Sequence, residues 1–123
     1  MSFSTEINEK YSLYKTDLME FNSVNSKELC DLILKNATQH ELYYAILNFE
    51  SVQKFESNAL DQLTQLALFL KEKEGLLLLS ISDEKLRSLF SQDDFIVVPS
   101  DTEAIDYTFM DQVEKEFLNQ ADF

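Results

Sequence analysis

The side chains with the most chemical reach in this chain lie together at Phe55-Glu56-Ser57-Asn58-Ala59-Leu60. Ser57 opens a segment whose apolar residues recur at helical spacing. A serine at that position has two uses. Its hydroxyl can cap open backbone N–H groups, or, if exposed, it can accept a phosphoryl group. On the residues alone the cap is the favoured use. Glu56 adds a carboxylate and Asn58 an amide, at a helix start whose unpaired N–H groups favour an anion.

The other reactive residue types do not assemble into a site. His40 is the only histidine and has no cysteine at ligand spacing, so no metal is expected and a loop histidine is the reading. Cys30 falls on an apolar helical stripe and reads as a buried structural thiol rather than a nucleophile. Gly75 is the only glycine, which argues against the glycine-rich loops that hold nucleotides, and no cofactor is expected. Asn36-Ala37-Thr38 matches a glycosylation sequon that a cytoplasmic chain would not use. Acidic residues on the last helix read as a solvated face. With no histidine, cysteine or glycine at the serine turn, an enzyme is the least favoured class.

These residues need elements to position them. Tyr43–Phe49 is a continuous apolar run, as in a strand covered on both faces. Asn58–Lys73 carries apolar residues at 59, 60, 63, 66, 67 and 70, one helical face. Gly75 is expected to end this helix as a left-handed cap. Leu76–Ile81 is a second apolar strand, which completes a right-handed βαβ unit. Upstream, Tyr11–Lys15 reads as a strand, Leu18–Phe21 as a short return strand, and Ser26–Lys35 as a helix capped by Asn25 with Glu28. Asn36–Glu41 is expected to be a loop. Downstream come a short helix from Asp83 to Phe90, with Leu86, Leu89 and Phe90 inward, and a strand at Phe95–Val98. A last helix over Asp101–Asn119 is capped by Ser100 with Glu103 and is expected to turn Ile105, Phe109, Val113 and Phe117 inward. Its other faces bear Asp101, Asp106, Asp111, Glu114 and Glu116. Residues 1–9 read as a frayed or edge segment. The fold class is α/β: one domain over residues 1–123, with a mostly parallel sheet flanked by about four helices.

The run Ile46-Leu47-Asn48-Phe49-Glu50-Ser51-Val52, followed by Phe55-Glu56-Ser57-Asn58-Ala59-Leu60, resembles an STAS domain (sulfate transporter and anti-sigma-factor antagonist). In that family a strand ending in Asp leads to a hydrophobic-Asp-Ser-Ser-Gly-Leu turn whose first serine is phosphorylated. The resemblance covers most of the chain, since helix, glycine and second strand follow in the same order. It implies a non-catalytic domain that acts in transcription regulation by partner switching. The unmodified domain binds an anti-sigma factor, a serine-protein kinase of the histidine-kinase-like ATPase type, and phosphorylation at Ser57 ends the binding. Asn22, Glu56, Asn58 and Ala59 would join Ser57 in the contact surface. The alternative is a constitutive scaffold or assembly subunit of a transporter or sensory complex, without the switch. This chain departs from the family at Glu56 for Asp, Asn58 for Ser, Ala59 for Gly, and Asn48 and Asn22 for Asp. The departures bear on the modification more than on the fold.

Composition limits the partners. With 10 basic and 23 acidic residues the net charge is −13, which disfavours nucleic acid and anionic membrane. It fits a basic protein partner or, more plainly, an ordinary cytoplasmic protein. Hydrophobic residues at 45% and charged ones at 27% indicate a folded chain rather than a disordered one. One cysteine cannot close an internal disulfide, and no apolar run reaches membrane-spanning length. No signal-peptide pattern opens the sequence, so a cytoplasmic location is expected. The residues leave the oligomeric state open.

Overall fold

The computed structural model describes residues 3–90 and 95–120. Its elements are β1 (Phe3–Ile7), β2 (Ser12–Thr16), β3 (Glu20–Phe21), α1 (Ser23–His40), β4 (Tyr44–Asn48), β5 (Lys54–Phe55), α2 (Ser57–Glu72), β6 (Leu76–Ser80), α3 (Glu84–Arg87), β7 (Ile96–Val98) and α4 (Asp101–Gln120). Five strands form one sheet in the order β1-β2-β4-β6-β7. β1 runs antiparallel to β2, while β2, β4, β6 and β7 are mutually parallel. The expected α/β architecture is therefore present, with the β4-α2-β6 crossover at its centre.

Period-two alternation sorts the strand residues between two cores. Ala45, Leu47, Leu77 and Leu79 face α1 and α2, where Leu29, Ile33, Leu63 and Leu70 meet them. Leu13, Ile46 and Leu78 face the other way, toward Ala104 and Ile105 of α4. Ile46 opposes Leu78 in the parallel register, and both are fully buried. This is why both strands read as unbroken apolar runs.

Several expectations are corrected. Of the two readings of residues 1–9, the edge element holds and the frayed end does not: Phe3–Ile7 is an edge strand, with Phe3 buried against Phe21; Met1 and Ser2 lie outside the described residues. Helix α1 starts three residues earlier than expected. Its cap is Asn22, whose side chain accepts from the Asn25 N–H while the Asn25 side chain accepts from the Asn22 N–H. Asn25 is thus the reciprocating third residue of the box, not the cap. The helix also runs on through Asn36–His40, because Ala37 is buried, and ends at a left-handed Glu41 (φ 49°).

Gly75 is not left-handed; Glu74 takes that conformation (φ 64°). The glycine is needed for close approach, since a Cβ there would stand 1.9 Å from the Tyr43 carbonyl oxygen. Helix α3 is shorter than expected, Glu84–Arg87, and just beyond it Leu89 is exposed while Phe90 is buried. On α4 the inward residues are Ala104 and Thr108, fully buried, whereas Phe109, Val113 and Phe117 are 42%, 63% and 67% exposed. Small side chains let the helix lie close on the sheet, and polar pairs then fix its rotation. Asp101 accepts from Asn48 Nδ2 (2.9 Å) and Asp111 from the Tyr44 hydroxyl (2.6 Å). Two of the acids expected in solvent therefore face inward.

Candidate functional site

The serine turn is placed by a two-stranded parallel ribbon that the apolar pattern did not reveal. β3 pairs with β5, with Glu20 opposite Lys54 and Phe21 opposite Phe55. A cluster of phenylalanines supports the ribbon. Phe21 packs on Phe49 at 4.8 Å between ring centroids, and Phe55 meets Phe49 at 5.5 Å and Phe90 at 5.1 Å. Tilted and edge-on aromatic contacts of this kind bury large areas in fixed geometry. The loop from β4 to β5 is pinned from below. The Ser51 hydroxyl lies 2.9 Å from the Thr16 carbonyl and 2.8 Å from that of Leu18, and the Gln53 N–H donates to the Met19 carbonyl at 2.8 Å.

The chain leaves both ribbon strands directly into helices, so α1 and α2 begin side by side. Asn22 follows Phe21 and Glu56 follows Phe55. The Glu56 N–H donates to the Phe21 carbonyl at 3.0 Å. Its carboxylate accepts from the Ser23 N–H, in the first turn of α1, at 3.3 Å. Glu56 is itself the cap residue of α2 by backbone conformation, but makes no side-chain capping bond there. Ser57 is the first helical residue rather than the cap. The reason is geometric: β5 continues through Phe55, so the last extended residue is Glu56 (φ −79°, ψ 140°).

The five residues read as a contact surface are separated by burial. Glu56, Ser57 and Asn58 are exposed, and Asn22 is half-buried in its capping role. Ala59 is fully buried, and its carbonyl accepts the buried Ser26 hydroxyl at 3.2 Å. Its side chain therefore packs α2 onto α1 and is not on the surface. Asn48, at the end of β4, is turned toward α4: its Nδ2 donates to Asp101 and its Oδ1 accepts from the Glu50 N–H at 3.0 Å. Glu50 in turn accepts from the Ser82 N–H and hydroxyl, which ties the loop after β4 to the loop after β6. No spacing in the sequence signals that joint.

Below the two helix starts a groove of about 500 Å³ runs between α1 and α2, lined in part by Cys30, Leu34, Leu66 and Phe69. Burial pushes the Cys30 thiol above its ordinary range, opposed by its hydrogen bond with Ser26, which disfavours the thiolate a nucleophile needs. Among the described residues no three His, Cys, Asp or Glu side chains converge on a metal position. His40 closes α1, away from the serine turn. Among the described residues no hydrogen bond engages the Ser57 hydroxyl, which is exposed. Chemically, the turn can present polar groups to a partner or receive a phosphate.

Strand order and parallel crossovers give an STAS-like fold, shared with solved anti-sigma-factor antagonists. The chain superposes on the anti-sigma factor antagonist SpoIIAA in its unphosphorylated form with a TM-score of 0.67 and 19% identity, covering 85% of this chain and 96% of that one. The phosphorylated form of the Bacillus cell fate determinant SpoIIAA matches at 0.65, with 17% identity and coverage of 85% and 97%. A Thermotoga maritima protein described as a candidate anti-sigma factor antagonist matches at 0.72 and 16%, with coverage of 86% and 93%. The murine Slc26a9 anion transporter matches at 0.67 and 13%, over 85% of this chain but 18% of the transporter. No protein-family model and no curated protein sequence matches the chain. Among the described residues no helix is long and apolar enough to cross a membrane.

Proposed function

We propose that this chain is a non-catalytic interaction domain that binds an anti-sigma factor, a serine-protein kinase of the histidine-kinase-like ATPase type, and is released from it by phosphorylation of Ser57. The observation that carries this reading is the exposed Ser57 at the first turn of α2, without a hydrogen-bond partner among the described residues, in a fold shared with an antagonist known in unphosphorylated and phosphorylated forms. Glu56, Asn58 and the edge of Asn22 form the rest of the contact surface. A phosphate at Ser57 adds roughly two negative charges beside Glu56. The α2 N-terminus tolerates that charge within the domain, while an interface built around Glu56 and Asn58 acquires an unpaired dianion that is costly to desolvate.

Incubation with a kinase of this type and ATP, followed by intact-mass measurement and a binding assay, tests the proposal. One added phosphate, absent in Ser57→Ala, together with loss of the complex, is expected. An unmodified protein that stays bound in the presence of ATP would instead support a second reading, a constitutive assembly module. The likeness to part of the Slc26a9 transporter favours that alternative, as does the buried Ala59, which makes α2 a firm helix from its first turn.

A further inference from the structure

Helix α4 has a second, unused face. Met110, Val113 and Phe117 are 72%, 63% and 67% exposed, and their spacing of three and four places them in one stripe. That stripe lies half a turn from Ala104 and Thr108, which face the sheet. Among the described residues, the last hydrogen bonds from this helix to the rest of the domain are those of Lys115. Tyr44 and Glu74, at the edge of the sheet where β4 and β6 begin, are met by Asp111 and Lys115. Phe117 and the 56% exposed Leu118 come after those contacts, at the helix end. A run of large exposed apolar groups on one helix marks an interaction surface.

Charge selects what covers it. The stripe is bordered by Glu103, Asp106, Glu114 and Glu116, all exposed. Lys115 is the helix's single basic residue and is already held by Asp111 (2.8 Å), the Tyr44 hydroxyl and the Glu74 carbonyl. A second copy of the chain would set acidic borders against each other, each on a protein of net charge −13, and like charges at the flanks of a helix pair oppose pairing. We infer that the outer face of α4 docks a basic amphipathic helix of another protein, its apolar stripe on Met110, Val113 and Phe117 and its lysines or arginines on the acidic border. This surface is separate from the Ser57 turn and does not depend on the switching proposal.

A synthetic amphipathic helix with leucine at its heptad core positions and lysine at the flanking positions is the probe, with a glutamate-flanked peptide as its control. Calorimetry and amide NMR shifts on the full chain are expected to show the lysine peptide binding at residues 106–118, more weakly as salt rises, and the glutamate peptide not binding. Met110→Glu and Phe117→Glu should each weaken binding about tenfold or more, with unchanged melting curves because both side chains are exposed. Ser57→Asp should leave this binding intact. The inference is overturned by failure of the lysine peptide to bind, by equal binding of the two peptides, or by full affinity in both variants. It is equally overturned if the wild-type chain sediments as a dimer that Met110→Glu dissociates, or if phosphatidylcholine vesicles capture the wild type but not the variants.

Discussion

The two faces of the sheet are closed by unequal means. Against one face lie α1 and α2, over an extensive core that includes Leu29, Leu47, Leu63, Leu79 and the phenylalanine cluster. The other is covered, among the described residues, by α4 alone, over Tyr11, Leu13, Tyr44, Ile46, Leu78 and Ala104. The difference shows where interaction surfaces can form. Two neighbouring crossover helices bring two helix starts together at the carboxyl ends of the parallel strands, and the aromatic cluster holds them rigidly. A single covering helix instead needs only a narrow inner stripe, which leaves its outer side free to carry apolar groups.

The largest expected effect tests this asymmetry directly. Leu47 points into the two-helix core and Leu78 into the α4 core, and both are fully buried. Truncation to alanine at either should cost about 2–5 kcal/mol, with the spread set by how far the surroundings collapse. Leu47→Ala should fall toward the upper end, because helices and aromatic rings confine its cavity. Leu78→Ala should fall toward the lower end, because α4 rests on small side chains and can settle. Chemical denaturation that ranks them the other way would break the comparison.

A smaller effect is expected where α4 is fastened. Tyr44→Phe removes the hydroxyl that donates to Asp111 at 2.6 Å and that also lies 3.2 Å from Lys115 Nζ. Since Asp111 and Lys115 still pair, a loss of about 1–2 kcal/mol is expected. Burial, and then the Asp111 carboxylate, push the Tyr44 phenol far above its ordinary range. The folded state thus holds the proton more tightly than the unfolded chain. The resulting stability is fully present below the unfolded value of about 10 and is lost as pH rises above it. Melting curves above that pH should fall less steeply for Tyr44→Phe than for the wild type. Identical slopes would show that Tyr44 does not fasten the helix.

How far these features can be read from sequence follows the same division. The two-helix face was legible, because Tyr43–Phe49 and Leu76–Ile81 are unbroken apolar runs and the helix between them is strongly periodic. The α4 face was misjudged, because Ile105, Phe109, Val113 and Phe117 look like a core stripe at steps of four. Ile105 does pack inward, but the tertiary pairing of Asp111 with Tyr44 and of Asp101 with Asn48 turns Phe109, Val113 and Phe117 outward, and no local pattern encodes that. The start of the central helix near Ser57 is legible, but its exact register depends on the short β3–β5 ribbon. Two-residue strands carry no periodicity, so the shift of the cap from Ser57 to Glu56 could not be read. The reading of Gly75 as a left-handed cap fails, because what requires the glycine is close packing against Tyr43, which leaves no trace in sequence.

The smallest expected effect on stability separates the two neighbouring helix starts. Asn22 caps α1 with its side chain, so Asn22→Ala should cost about 1 kcal/mol. Ser57 is exposed, follows the cap residue of α2 and has no hydrogen-bond partner among the described residues, so Ser57→Ala should change stability by less than about 0.5 kcal/mol. Ser57→Asp places a carboxylate in the first turn, where the helix dipole favours it by about 0.3–1 kcal/mol, although Glu56 beside it offsets part of that gain. Stability should therefore be nearly equal in wild type, Ala and Asp forms. Any difference in binding then reports on the contact surface itself. If Ser57 is the switch, the Ala form should bind the kinase partner like the wild type. The Asp form should bind more weakly, though only in part, because one charge without the tetrahedral bulk reproduces half of a phosphate's effect at most. Calorimetry with melting curves alongside reads both quantities on the same samples. Equal affinities for Ala and Asp would remove the electrostatic switch and leave the constitutive assembly module as the better account of this helix start.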